Sequence, residues 1–285
     1  MIKGLLPATL AFIMFSLGLG LKLDDFRRLL AHPRAIGLGF VAQTLLLPGT
    51  AWLIATTLGL APEAAVGLMI LAACPGGVTA GMVTHLARGE TALSISLTAL
   101  TSMIAFISVP LIVSGSFVYF VGDAEIVHLP VGQTVGGLFL ITLLPVGLGL
   151  WLSEAGRLSP RTTATIHRVA TSLFVLIVLW TFATQWPAMS NHFPSVGPAA
   201  LLLNLVTMMT GTVLGALARL DAPGRVALAM ECGMQNSALG ITLAVSILGA
   251  PALAVPSVIY ALLMNITAFA VIAMRRGARI ATASR

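Results

Sequence analysis

Apolar runs of about 20 residues, separated by short polar segments, recur along the whole chain, and each matches the length of a helix crossing a bilayer core. The pattern predicts nine helical spans, at 4–21, 35–59, 64–87, 91–118, 131–153, 166–187, 195–218, 224–248 and 252–274. Two of the nine are interrupted. The third holds Cys74-Pro75-Gly76-Gly77, a helix-breaking cluster about 12 residues past Glu63. At ~1.5 Å of rise per residue the break lies ~18 Å deep, near the midplane. The eighth holds Gly233 and the polar run Gln235-Asn236-Ser237 about 11 residues past Arg225, at similar depth from the other side. Backbone broken at that depth is tolerated only where it lines a cavity or is buried in protein.

The segments between the spans alternate in charge. Lys22, Arg27, Arg28 and Arg34 follow the first span, Arg88 the third, and Arg157, Arg161 and Arg168 the fifth. Arg219 and Arg225 follow the seventh, and Arg275, Arg276, Arg279 and Arg285 the ninth. The other loops hold Glu63, Asp123 and Glu125 without a Lys or Arg, so 14 of the 15 basic residues fall on one side, Lys3 excepted. Basic loops mark the cytoplasmic face, so the N-terminus is expected outside and the C-terminus in the cytoplasm. An even number of spans would break this alternation.

Composition adds the class. Hydrophobic residues make up 58% of the 285 and charged residues 8%, with a mean hydropathy of +1.03. A soluble chain could not wet its outer faces with so few polar residues. The reading is an all-α polytopic membrane protein, with residues 1–285 as one transmembrane domain. The first apolar run has no small-residue cleavage site and reads as the first span. A pI near 10.4 raises nucleic acid as a partner. The basic residues cluster at helix ends instead of on one face, so the expected partner is the lipid bilayer and not nucleic acid. External loops carry no Asn-x-Ser/Thr, which favours a bacterial inner (plasma) membrane. Cys74 and Cys232 sit at membrane depth with no pairing pattern and read as small buried hydrophobes. His32, His85, His128, His167 and His192 fall at or near interfaces and read as surface, and Trp151, Trp180 and Trp186 as interfacial anchors.

Two halves of the chain match with opposite topology. Ala61-Pro62 opens the third span and Ala222-Pro223 the eighth, an offset of 161 residues that also carries Gln43 onto Asn204 and Met69 onto Met230. Interrupted spans at matching positions of inverted repeats point to a secondary-transporter site at the crossing. Chance similarity between apolar helices is the competing explanation, and the equal depth of the two breaks argues against it.

The chemistry centres on Glu231, the only acidic side chain that cannot reach water without leaving the membrane. A carboxylate at such depth costs roughly 3 kcal/mol on insertion scales, and a cation would relieve it. Free N–H groups after Gly76-Gly77, at Val78 and Thr79, present partial positive charge suited to an anionic substrate. Carbonyls released from Glu231 through Met234 present oxygens suited to Na⁺. Ser94 and Thr98, four residues apart, share one helix face, extended by Thr101 and Ser102, while Ser96 points elsewhere. Hard cations take such oxygen ligands. Alone, Ser94 and Thr98 would read as helix-packing glue.

Cys74-Pro75-Gly76-Gly77 followed by Leu86-Ala87-Arg88-Gly89-x-x-Ala92-Leu93-Ser94, with Glu231-x-Gly233-Met234-Gln235-Asn236-Ser237, resembles the bile acid:sodium symporter family. Phe15-x-x-Gly18-Leu19-x-Leu21 and Val41-Ala42-Gln43 also fit, and the resemblance runs from about Phe12 to Ala273 in the nine-span form. It implies a panel of spans 1, 5 and 6 moving against a core of spans 2–4 and 7–9, with spans 3 and 8 crossing as discontinuous helices. It further implies one Na⁺ held by Glu231 with Ser94 and Thr98. A second would be held by Glu231, Gln235, Gln43 and the carbonyls of Cys232 and Met234. Asn236 matches a residue facing the substrate, and Asn265 falls in a nearby polar position. A Ser-Asn pair usual after the double glycine is Ala80 and Gly81 here, so the first sodium site loses two ligands. A histidine of some relatives is Met264.

The expected function is therefore Na⁺-coupled symport of an organic anion, a bile-acid-like sterol or a small carboxylate, by alternating access. One or two sodium ions would couple to each anion, and the protein would act as a monomer. The alternative is a proton-coupled carrier using Glu231 as the proton site. An intramembrane enzyme is disfavoured because a single buried acid has no histidine or metal cluster beside it. A passive channel is disfavoured because the polar run is interrupted and forms no ring.

Overall fold

The computed structural model describes residues 2–24, 33–77, 79–122, 131–184 and 186–283. Eleven helices account for nearly all of them, and no named strand occurs among the described residues. Helix α1 is Ile2–Leu19 and α2 is Pro33–Thr57. Two short helices follow, α3 (Pro62–Ala73) and α4 (Ala80–Leu86), then α5 (Thr91–Phe120). Helix α6 runs from Val131–Leu138 through a π-helical turn, Phe139–Leu143, into Leu144–Glu154. Helices α7 (Pro160–Thr184) and α8 (Trp186–Leu217) precede a second short pair, α9 (Ala222–Gly233) and α10 (Ser237–Thr242). A 3₁₀ turn, Pro251–Ala254, leads into α11 (Val255–Ala283).

Five stretches among the described residues are long and apolar enough to cross a membrane: Pro33–Thr57, Thr91–Phe120, Val135–Glu154, Ser190–Leu217 and Pro251–Arg275. Their outward faces are apolar too. Leu140, Met209 and Ile266 are 59%, 65% and 65% exposed, an arrangement that fits lipid and not water as the surrounding solvent. This is a polytopic helical membrane protein.

Local sequence explains where the helices start and stop. Pro62 and Pro223 lie in the first turns of α3 and α9, where a missing N–H costs nothing. Pro75 forces Cys74 into an extended conformation, φ −66° and ψ 148°, and ends α3. Helix α9 stops after Gly233, with Met234 at φ −102° and ψ 94°. The π-helical turn Ala42–Leu46 lies just before Leu47-Pro48, and that in α6 just before Leu144-Pro145. A proline cannot donate to the carbonyl four residues back and its ring crowds that carbonyl; a wider turn relieves the clash.

Three boundaries differ most from the sequence reading: α7 begins at Pro160 instead of 166, α11 runs to Ala283 instead of 274, and α8 starts early. Helix α8 begins at Trp186, well before the expected 195, so Trp186 starts α8 instead of closing the preceding span. Ser190-Asn191-His192 lowered the hydropathy there without being poor enough in helix propensity to break the helix, and Pro187 occupies the first turn, where proline is accepted.

Helices α1, α6 and α7 pack together, α1 lying along both others. A β-carbon on Gly18 would strike the Val146 carbonyl, and one on Gly149 would strike the Phe15 carbonyl. The two glycines let the α1 and α6 backbones touch. Elsewhere α8 packs on α9 and α11, α5 on α3, α4 and α9, and α2 on α3. The ends of α3 and α9 meet in the middle of this second group.

Candidate functional site: the crossing at Glu231

The chain between α3 and α4 meets the chain between α9 and α10 in a single antiparallel bridge, Gly76 opposite Gln235. Gly77 N donates to Met234 O at 2.6 Å and Asn236 N to Pro75 O at 3.0 Å. Each broken helix thus satisfies part of its free backbone on the other. The remaining polar groups define the site.

Glu231 is 1% exposed. Ser94 Oγ donates to its Oε2 at 2.8 Å and Thr98 Oγ1 to its Oε1 at 2.6 Å. Thr84 Oγ1 donates in turn to Ser94 Oγ at 3.3 Å. A β-carbon on Gly76 would overlap Oε1, so the carboxylate lies directly against the α3–α4 backbone only because position 76 is glycine. Among the described residues no Lys, Arg or His neighbours this carboxylate. Two hydroxyls are all that the described residues donate to this buried charge, and such charges are ordinarily paired.

On the other side of the α9 terminus lie two amides. Gln43, in the π-helical turn of α2, donates from Nε2 to Glu231 O at 2.6 Å. Gln235 donates from Nε2 to Cys232 O at 2.9 Å and more weakly to Gln43 Oε1 at 3.4 Å. Those donations orient the amide, and they leave Gln235 Oε1 buried with no partner. Gln43 Oε1, Gln235 Oε1 and the carbonyls of Glu231, Cys232 and Met234 are thus gathered at the α9 terminus. The set is all oxygen, and among the described residues no cluster of three or more His, Cys, Asp and Glu exists. It fits an alkali or alkaline-earth cation and not a transition metal.

Asn236 faces the other way. Its Oδ1 accepts from Leu239 N at 3.1 Å, capping α10, which leaves Nδ2 buried without an acceptor. Asn236 lines a cavity of about 240 Å³ with Thr79, Gly77 and Gln235 from the crossing. Opposite stand Ile13 and Ser16 of α1 and His167, Thr171 and Phe174 of α7, and Met264 of α11 closes one side. Ser16 Oγ and His167 Nδ1 are 2.8 Å apart. A buried donor, Asn236 Nδ2, and a buried acceptor, Gln235 Oε1, are thus both left without partners on residues that line the cavity.

Of the residues singled out from sequence, Glu231, Gln235, Gln43, Ser94, Thr98, Cys232 and Met234 come together around the α9 terminus, and Thr79 and Asn236 line the cavity. Asn265 does not join them. Its Nδ2 donates to Ala261 O at 2.6 Å within α11, and it is not among the cavity-lining residues. Val78 lies outside the described residues. Thr101 turns back to the Leu97 and Thr98 carbonyls, and Ser102 Oγ makes no hydrogen bond to Glu231. Both cysteines are free and buried.

Sequence reasoning missed a second polar hub. Asn204 Nδ2 donates to Gly233 O at 2.8 Å, Tyr260 OH donates to the same carbonyl at 2.9 Å, and Thr267 Oγ1 donates to Asn204 Oδ1 at 2.6 Å. The signal was available: a tyrosine amid an apolar run needs a partner for its hydroxyl. It also assigned His167 to the surface, whereas the ring is half-buried at the cavity.

The family model of the Sodium Bile acid symporter family matches residues 7–192. A Bacillus subtilis protein named Uncharacterized sodium-dependent transporter YocS is 31% identical over 265 residues, 90% of this chain and 78% of its own length. The rice protein named Probable sodium/metabolite cotransporter BASS2, chloroplastic, is 30% identical over 275 residues, 94% of this chain. This chain spans 63% of that rice relative's length. The human Ileal sodium/bile acid cotransporter is more distant, 23% identical over 238 residues, 84% of this chain and 68% of its own length. By the match of the family model over most of its length, and by a relative above 30% identity covered across most of its own, this chain belongs to the sodium/bile acid symporter family.

Proposed function

We propose that the protein is a secondary transporter that couples inward movement of Na⁺ to uptake of a small organic anion. The observation that carries this reading is the Glu231 carboxylate, buried and given two hydroxyl donors but no cationic partner among the described residues. Na⁺ sits against Glu231 and takes oxygens from Gln43, Gln235, Cys232 and Met234, filling the need of the orphaned Gln235 Oε1. One Na⁺ is held per cycle. Beyond Ser94 and Thr98, Ala80 is apolar and buried and the space over Gly81 is filled by Ile95, which gives a second ion few oxygens.

The anion occupies the cavity, with Thr79 and Asn236 Nδ2 as donors. Its volume of about 240 Å³ falls below the ~300–1,000 Å³ typical of drug-sized ligand sites. That supports a compact metabolite carboxylate over a sterol conjugate. The partition of helices supports alternating access: α1, α6 and α7 form the panel, and the other helices the core, with the cavity between them. In this reading α3 with α4 and α9 with α10 are discontinuous spans of nine, related as inverted repeats. Their first halves have equal length, 12 residues each. The arginine-rich loops support a cytoplasmic C-terminus in a plasma membrane.

The test is uptake of a panel of labelled small carboxylates into proteoliposomes under an inward Na⁺ gradient, with wild type and Glu231→Ala. Sodium-stimulated uptake of at least one carboxylate, lost in the variant, is expected. Uptake driven equally well by an inward proton gradient with no sodium present would replace this reading by proton coupling.

A further inference from the structure

An open crevice of about 640 Å³ lies between α8, α9 and α11, away from the cavity described above. Its walls are apolar and rich in methionine: Met208, Met209 and Met274 join Leu205, Val271 and Met230. Methionine is flexible and polarisable and accommodates apolar chains of variable shape. At one end the character changes. Helix α8 ends and α9 begins there, and Arg225, in the first turn of α9, and Arg275 of α11 both line the crevice. Arg225 Nε donates to Leu220 O at 2.9 Å, which fixes the guanidinium and leaves its terminal nitrogens available. No acidic side chain lines the crevice; the nearby Asp221 is occupied in capping α9 through Gly224 N at 2.9 Å.

We propose that this crevice binds an anionic glycerophospholipid, with its phosphate between Arg225 and Arg275 and an acyl chain along the methionine-lined wall. Guanidinium groups match phosphate oxygens in a bidentate fork, and basic pockets between helices at the cytoplasmic end are suited to anionic headgroups. The two arginines sit at the charged end of the chain's helices, where a headgroup lies, while Leu205, Met230 and Thr267 line the deeper part. That depth gives the lipid a neighbourhood with consequences. Met230 precedes Glu231, Thr267 donates to Asn204, and Met208 packs where a β-carbon on Gly233 would stand. A lipid here buttresses the back of the α9 terminus without touching the proposed sodium ligands.

The experiment uses the full chain purified in mild detergent and incubated with equal amounts of phosphatidylglycerol and phosphatidylcholine of identical acyl chains. Retained lipid is counted by native mass spectrometry. Wild type is expected to retain phosphatidylglycerol preferentially, and each arginine replaced by glutamine should lower that preference by about fivefold. Arg225→Gln with Arg275→Gln should abolish it while the circular dichroism stays that of wild type; Arg275→Gln alone serves if the double variant fails to fold. Equal retention of the two lipids by wild type overturns the proposal, as does a preference that survives loss of both arginines. Complete displacement by millimolar glycerol phosphate would also overturn it, because the occupant would then be a soluble phosphate and not a lipid.

Discussion

A hydrogen bond to a charged group is worth about 1.5–3 kcal/mol, and Glu231 has two from hydroxyls. Thr98→Val keeps the side-chain shape and deletes the shorter of them, at 2.6 Å. The sodium-free protein should lose about 1.5–3 kcal/mol of stability, read as a lower midpoint of thermal unfolding in choline buffer. Added Na⁺ should recover part of that loss, because a ligand that binds only the folded state stabilises it. An unchanged midpoint would mean that Thr98 does not solvate the carboxylate. Glu231, Gln43, Ser94 and Thr98 were legible in the sequence for the same reason: each is a polar side chain in an apolar run, with no water to turn to. Tyr260 met the same condition and was passed over, because its partner, the Gly233 carbonyl, lies 27 residues away in the chain. Asn265 shows the converse. A polar residue at a plausible depth can spend its hydrogen bonds on its own helix, and spacing alone does not reveal which way it turns.

The helix breaks were readable because proline and glycine act locally. Pro75 ends α3 whatever surrounds it, but that Gly76 must lack a β-carbon became visible only when Glu231 packed against it. Gly76→Ala should push the carboxylate from its two hydroxyls, an overpacking cost of ~1–3 kcal/mol. The half-saturating Na⁺ concentration for uptake should rise about tenfold, which corresponds to ~1.4 kcal/mol, with the protein still inserting and folding. An unchanged sodium dependence would show that close approach at this glycine is not needed. The π-helical turns were not foreseen, although Leu47-Pro48 and Leu144-Pro145 were their signal. The turn at Ala42–Leu46 has a consequence for the site, since it carries Gln43 and aims its amide at the α9 terminus.

The inverted repeat read from the chain is only partly mirrored in contacts. Gln43 and Asn204 occupy matching positions, yet both donate to carbonyls at the end of α9, Glu231 O and Gly233 O, and neither serves the end of α3. Under the proposed repeat the two halves differ in chemistry: the α9 terminus presents carbonyl oxygens, and the α3–α4 segment supplies glycine and backbone N–H. On that reading a repeat in sequence gives one ion site and not two equivalent ones. With one Na⁺ per monoanion no net charge crosses, so imposing about 100 mV on proteoliposomes should leave uptake unchanged, and a tenfold Na⁺ gradient should support about tenfold accumulation. Two ions would move a net charge worth ~2.3 kcal/mol per 100 mV, and a clear response to potential would contradict the single-ion stoichiometry. The account as a whole rests on Glu231 being a sodium ligand. Equilibrium binding of ²²Na⁺ to wild type and Glu231→Gln in lipid nanodiscs, with matching circular dichroism, examines that without knowledge of the cargo. Saturable retention by wild type and its loss in the variant are expected; equal retention by both proteins, or none by wild type, would contradict it.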